Sequence, residues 1–120
     1  APRETIHAQY KFYAYVRPAR LASGWSRDRI IEAINAEGVP CYSGSCSEVY
    51  LEKAFDATGW RPAHRLPTAM ELGQTSLMFL VHPTLTGDQI QASCNAISKV
   101  LSLASAGTGT TAEAPHACPA

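Results

Sequence analysis

Long hydrophobic runs are scarce in this 120-residue sequence. The longest, Leu77 to Val81, falls far short of the roughly 20 apolar residues that a membrane-spanning helix needs. The opening Ala1-Pro2-Arg3-Glu4 lacks the apolar core of a secretory leader, so a soluble, cytoplasmic location is expected. Charge of either sign is also lacking in surplus. Ten Lys and Arg stand against ten Asp and Glu, a formal net charge of +0 at pH 7. That balance speaks against nucleic acid or an anionic membrane as a partner. The four cysteines, Cys41, Cys46, Cys94 and Cys118, form no CxxC pair and no Cys/His knuckle. They read as free thiols of a reducing compartment, with no metal site. A Gly-rich phosphate loop, HExxH, GxSxG and a Walker sequence are all absent. No pair of carboxylates is placed by a motif for acid–base work.

What is present fits one folded unit. The length matches a single domain, and 46% hydrophobic residues argue against global disorder. The expected boundaries are a leader over 1–8, a domain over 9–104 and a disordered tail over 105–120, small and polar in composition. His116 and Cys118 in that tail read as a chance pair.

Gln9 to Arg17 alternates as a strand. Tyr10, Phe12, Ala14 and Val16 fall on one face, and Lys11, Tyr13, Tyr15 and Arg17 on the other. Pro18 ends it. Ser26 is an N-cap, Ile30, Ala33 and Ile34 form a helical stripe, and Gly38 is the stop. Val39 to Tyr42 reads as a short strand parallel to the first, with Pro40 placing it at an edge. Ser45 and Glu48 have the spacing of a capping box, which predicts a helix through Val49, Tyr50, Ala54 and Phe55 to about Gly59. A short helix follows over Leu66–Leu72, closed by Gly73, then a buried strand over Thr75–Val81. Thr86 and Gln89 form a second capping box, and Ile90, Cys94, Ile97 and Leu101 are the expected core stripe of the last helix. The order β-α-β-α-α-β-α gives an α/β (α+β) fold: a small mixed sheet of about three strands with helices packed on it.

Three features could carry chemistry. His82 ends the last strand, as a base at a strand mouth or as a cap on the following loop. Lys11, Tyr13, Tyr15 and Arg17 would suit base stacking in a standalone ferredoxin-like ligand- or RNA-binding module, although no RNP signature accompanies them. The alternative is that this face packs under another layer or domain. Cys46, at the start of the predicted helix, is a candidate nucleophile, with no partner base fixed by the sequence.

Taken together, Tyr10–Arg17, Ser26–Cys41 with its Glu37-Gly38-Val39 end, Leu66–Leu72, and Thr75–Leu85 with its His82-Pro83-Thr84-Leu85 run have a familiar order. They resemble the C-terminal domain of the DegT/DnrJ/EryC1/StrS aminotransferases, pyridoxal-phosphate enzymes of the aspartate aminotransferase fold. The resemblance implies a small domain that closes one side of an active-site cleft and supports a homodimer. The reaction it implies moves an amino group, from glutamate by expectation, to a (nucleotide-)keto-sugar. In that family a separate N-terminal domain holds pyridoxal 5'-phosphate and the Schiff-base lysine. Lys11, Lys53 and Lys99 do not sit where that lysine would, so no catalytic, cofactor-binding or metal residue is assigned here. The chain is expected to be inactive alone, with the N-terminal cofactor domain as its partner. The family's His-Tyr-Pro stretch and later histidine are replaced by Cys41-Tyr42-Ser43-Gly44-Ser45-Cys46-Ser47. By position, the resemblance assigns Tyr42, Ser43 and Ser45 to the substrate entrance and gives His82 a structural role. It also makes the Lys11–Arg17 face a surface for the N-terminal domain to cover.

Overall fold

Alternation in the first strand and a helical stripe after it settle how the chain begins to fold. The structure is a computed structural model that describes residues 10–106. Strand β1 (Lys11–Tyr15), helix α1 (Arg27–Ala36), strand β2 (Cys41–Tyr42), helix α2 (Pro67–Thr75), strand β3 (Ser76–Leu80) and helix α3 (Gly87–Ala104) follow in order. The α+β class is as expected. β3 lies between the other two strands, in the order β1-β3-β2, and both ladders are antiparallel. β1 and β2 therefore run parallel to one another, as expected, but with β3 inserted between them, so the sheet is antiparallel throughout and not mixed.

Local signals explain most boundaries. The Ser26 hydroxyl accepts the Arg29 N–H at 3.2 Å and opens α1. α1 closes with Gly38 at φ +85°, its N–H donating to Asn35 O at 2.9 Å, and Val39 N–H donating to Ile34 O at 3.3 Å. This is a left-handed cap that glycine adopts without a Cβ penalty. The Asn35 side chain then donates to Cys41 O at 2.8 Å and accepts from Cys41 N at 3.1 Å. It thereby closes the free edge of β2, where an open strand would invite foreign pairing. Thr86 and Gln89 form the expected reciprocal capping box at the start of α3.

The core lies between the sheet and helices α1 and α3. Ile30, Ile34 and Ala104 are fully buried, with Val16, Cys41, Leu77 and Val100 around them. Burial pushes the Cys41 thiol pKa up, against two backbone hydrogen bonds that lower it. β1 and β3 share this face through the Phe12↔Phe79 and Ala14↔Leu77 pairs.

Four expectations are corrected. No α-helix spans 45–59. The chain makes two 3-10 turns, Val49–Leu51 and Lys53–Phe55, interrupted by extended Glu52 and Asp56 and by Ala57 at φ 58°. Glu48 does not cap, because Arg65 and Tyr50 occupy its carboxylate. Gly73 lies inside α2 rather than ending it, and the helix runs directly into β3. A Cβ at Gly73 would lie 2.6 Å from Ser47 Oγ, so the glycine is needed for close approach. The core face of α3 runs through Ile97, Val100 and Ala104, while Ile90, Cys94 and Leu101 are exposed. Finally, Ser105 bridges to Leu21, and Ala106 N–H donates to Arg20 O at 2.9 Å, so the first two residues of the expected tail are paired. The rest of that tail, with His116 and Cys118, and the expected leader lie outside the described residues. Among the described residues, no helix is long and apolar enough to cross a membrane.

Candidate functional site

A period of two puts Tyr13 and Tyr15 on the sheet face opposite the core. There they pair across β1 and β3 with Met78 and Ser76. Tyr42 of β2 pairs with Met78 on the same side. Among the described residues, neither α1 nor α3 packs against this face. Instead the loop after β2 folds over part of it.

Single contacts hold the loop there. Gly44 takes φ +88°, and an added Cβ would meet Tyr13 Cε1 at 3.0 Å and Ser76 Oγ at 3.2 Å. The Tyr13 and Ser45 hydroxyls lie 2.8 Å apart in a hydrogen bond. Ser76 Oγ is 2.7 Å from both the Ser43 and Leu72 carbonyl oxygens, its one proton shared between them. Arg27, the first residue of α1, donates to Ser76 O at 3.2 Å. Ser76 is buried in consequence and Met78 is buried beside it, while Tyr15 (57%) and Tyr42 (47%) remain open.

Between this loop, β1 and α2 runs a groove of about 220 Å³, lined by Tyr13 and Tyr15 of β1, by Ser45, Cys46 and Ser47 of the loop, by Leu72 of α2 and by Ser76. A wider groove of about 490 Å³ shares Tyr15 and Leu72 with it and carries Arg17 and Glu71. Aromatic rings beside a row of hydroxyls suit a polar ligand with apolar C–H faces: the rings give contact area and the hydroxyls give orientation.

Of the three residues assigned to the substrate entrance, Ser45 lines the groove. Tyr42 stands exposed on the same sheet face, outside the groove lining. Ser43 contributes its carbonyl to the support of Ser76. Sequence reasoning missed Ser47, Leu72 and Ser76 as lining residues. Tyr13 and Tyr15 were legible as the outer strand face. Ser76 and Leu72 become visible only through the β1–β3 register and the helix that runs into β3.

Cys46 lines the groove, but no helix begins there to supply free amides, and its thiol lies 3.6 Å from the Glu52 carboxylate. The nucleophile expectation thus loses its structural basis. His82 Nδ1 accepts the Thr84 N–H at 3.3 Å and lies 2.7 Å from the Thr84 hydroxyl, a contact that shapes the turn before α3. Among the described residues no cluster of His, Cys, Asp or Glu could hold a metal ion.

Pyridoxal phosphate requires a lysine amine aimed at its aldehyde and partners for its phosphate. The residues present do not fit it. Lys99 is ion-paired to Glu37 at 2.8 Å, Lys11 lies over the Tyr10 ring at 5.2 Å, and Lys53 sits in a 3-10 turn. None of the three lines either groove. No cofactor step is derived from this chain.

No family model matches the sequence, and no curated protein matches it. A solved structure does. The X-ray structure of the aminotransferase from Psychrobacter cryohalolentis is similar over 81% of this chain, at 63% sequence identity and a TM-score of 0.77. The matched stretch is 25% of that aminotransferase chain, so this chain corresponds to about a quarter of it.

Proposed function

We propose that residues 9–104 are the C-terminal small domain of a pyridoxal-phosphate-dependent aminotransferase of the DegT/DnrJ/EryC1/StrS type. In this reading the domain walls one side of the active-site cleft, and the lysine and cofactor come from the N-terminal part of a longer, homodimeric, cytoplasmic polypeptide. The substrate is a (nucleotide-)keto-sugar and the amino donor is glutamate. One observation carries the reading: 63% identity over 81% of this chain to one quarter of an aminotransferase. Two features of the molecule support it. Among the described residues, no helix wraps the Lys11–Arg17 face of β1, and Tyr13 and Tyr15 are both exposed. The groove beside it offers aromatic rings and hydroxyls, the side chains that contact sugars.

The groove residues would orient the sugar and exclude water, while all proton movement at the reacting carbon would fall to groups outside this chain. The test begins with the size of the native polypeptide, by immunoblot on the source cells. A band several times larger than 12.9 kDa is expected, and that polypeptide should convert glutamate to 2-oxoglutarate in the presence of a nucleotide keto-sugar. A native band near 12.9 kDa would overturn the reading and favour a standalone binding module.

A further inference from the structure

The stretch that carries the groove's hydroxyl wall has almost no regular structure of its own. From Ser43 to Leu66 the backbone makes only two 3-10 turns, so its geometry rests on side chains. Arg61 serves the interior of the loop, donating to the carbonyls of Tyr50, Leu51 and Glu52 at 2.8, 2.9 and 3.1 Å. The two ends are joined differently. Arg65 Nε donates to Glu48 Oε1 at 2.8 Å, and Arg65 Nη2 donates to Glu48 Oε2, a two-pronged pair. The Tyr50 hydroxyl donates to Glu48 Oε1 at 2.7 Å and accepts the Leu66 N–H at 3.0 Å. Glu48 is well covered, its side chain 13% exposed, whereas Arg65 is half-exposed at 52%.

The position of this knot matters more than its energy. Glu48 directly follows Ser45, Cys46 and Ser47, the hydroxyl side of the groove. Arg65 and Leu66 directly precede α2, which begins at Pro67 and carries Leu72 into the groove. Two turns into α2, Gly73 abuts Ser47 so closely that a Cβ would stand 2.6 Å from its hydroxyl. Two sides of one groove are thus tied at their chain roots by Glu48–Arg65 and touch at Gly73–Ser47. We infer that Glu48 and Arg65 are positioning residues that set the width of the Ser45–Leu72 groove, with the Tyr50 hydroxyl as their brace.

This rests on the aminotransferase reading only where substrate is concerned; the structural part stands without it. A half-exposed pair contributes little to global stability. Its removal should therefore loosen the groove wall without unfolding the domain. Arg65→Lys keeps the charge and loses the planar fork, so it should fall between wild type and Arg65→Ala.

The experiment uses the native polypeptide with Glu48→Gln, Arg65→Lys and Arg65→Ala, and reads hydrogen exchange and steady-state kinetics side by side. Amide exchange over 45–52 and 61–66 should accelerate by about tenfold, with β1, β3 and α1 unchanged. KM for the keto-sugar should rise by about tenfold with kcat within about twofold, in the order Arg65→Ala above Arg65→Lys. Unaltered exchange in all three variants would overturn the inference outright. Faster exchange with an unchanged KM in an active enzyme would overturn the positioning role. A wild-type polypeptide without aminotransferase activity would sink the functional reading and leave the exchange data to decide the clasp.

Discussion

The two faces of this small sheet are closed by different means. On the inner face, Ala14, Val16, Leu77, Phe79 and Cys41 meet α1 and α3, and Ile30, Ile34 and Ala104 have no exposed surface. On the outer face, Ser76 and Met78 are nearly as well buried, yet among the described residues it is a loop that closes over Ser76, while Tyr15 and Tyr42 stand open. Two helices close the first face through many dispersion contacts, each weak and none indispensable in its direction. The second is closed by a few directional contacts around Gly44, Ser45 and Ser76. Close packing leaves no room for a ligand, whereas a loop held at a few points leaves a groove of about 220 Å³.

The sharpest way to break this comparison is to empty one side chain on each face. Ile34→Ala removes atoms from a fully buried site and should destabilise the domain by about 2–5 kcal/mol. Tyr15→Ala removes a larger side chain, but one 57% exposed, and should change stability by about 0.5 kcal/mol at most. Urea unfolding of the chain reads both. Equal losses would mean that the outer face is packed within this chain, which would undercut its assignment as a surface for another domain.

The same contrast governs how much the sequence revealed. Inner-face elements announce themselves locally. Ser26, Gly38 and the Thr86–Gln89 box mark helix ends within a few residues of their partners, and Ile30 and Ile34 keep the helical period. The exception on this side is instructive. α3 buries Ala104 and Val100 and leaves Ile90 and Leu101 outside, because a small residue lets the helices approach and a hydropathy stripe does not register it. The outer face depends on partners far apart in sequence. Glu48 looks like a capping residue until Arg65, 17 residues on, takes its carboxylate. Ser45 was reached through a resemblance. Ser76 and Leu72 needed the β1–β3 register and the direct passage of α2 into β3, which no periodicity encodes. Tyr42 shares the face without lining the groove, since β2 ends at the sheet edge.

Gly44 offers a test of intermediate size, because it belongs to the outer face and yet is constrained as tightly as a core residue. Its φ of +88° is left-handed, and a Cβ would press on Tyr13 and Ser76 at 3.0 and 3.2 Å. Gly44→Ala should cost about 1–3 kcal/mol, from backbone strain and from displacing the loop. The Tyr13–Ser45 hydrogen bond should be lost with it, visible as faster amide exchange over 43–47. A loss as small as that of an ordinary surface substitution would show that the loop does not sit down on the sheet in solution.

The smallest effect appears only in acid, and it separates the faces by their chemistry. The Arg65 guanidinium, helped by the Tyr50 hydroxyl, holds the Glu48 carboxyl at about 2, against about 4.3 for a free glutamate. A carboxyl whose pKa is depressed by folding contributes stability that is complete above the unfolded value and vanishes as pH falls through the folded one. The stability difference between wild type and Glu48→Gln should therefore be constant from neutrality to about pH 5, then shrink between about pH 4.3 and pH 2. Ile34→Ala changes no titrating group, so its deficit should stay level over the same range. Unfolding curves for the two variants at a series of pH values make the comparison directly. A Glu48→Gln difference that stays as flat as that of Ile34→Ala would mean that the ion pair closing the outer loop is not formed in solution, and the groove would then be held by Gly44, Ser45 and Ser76 alone.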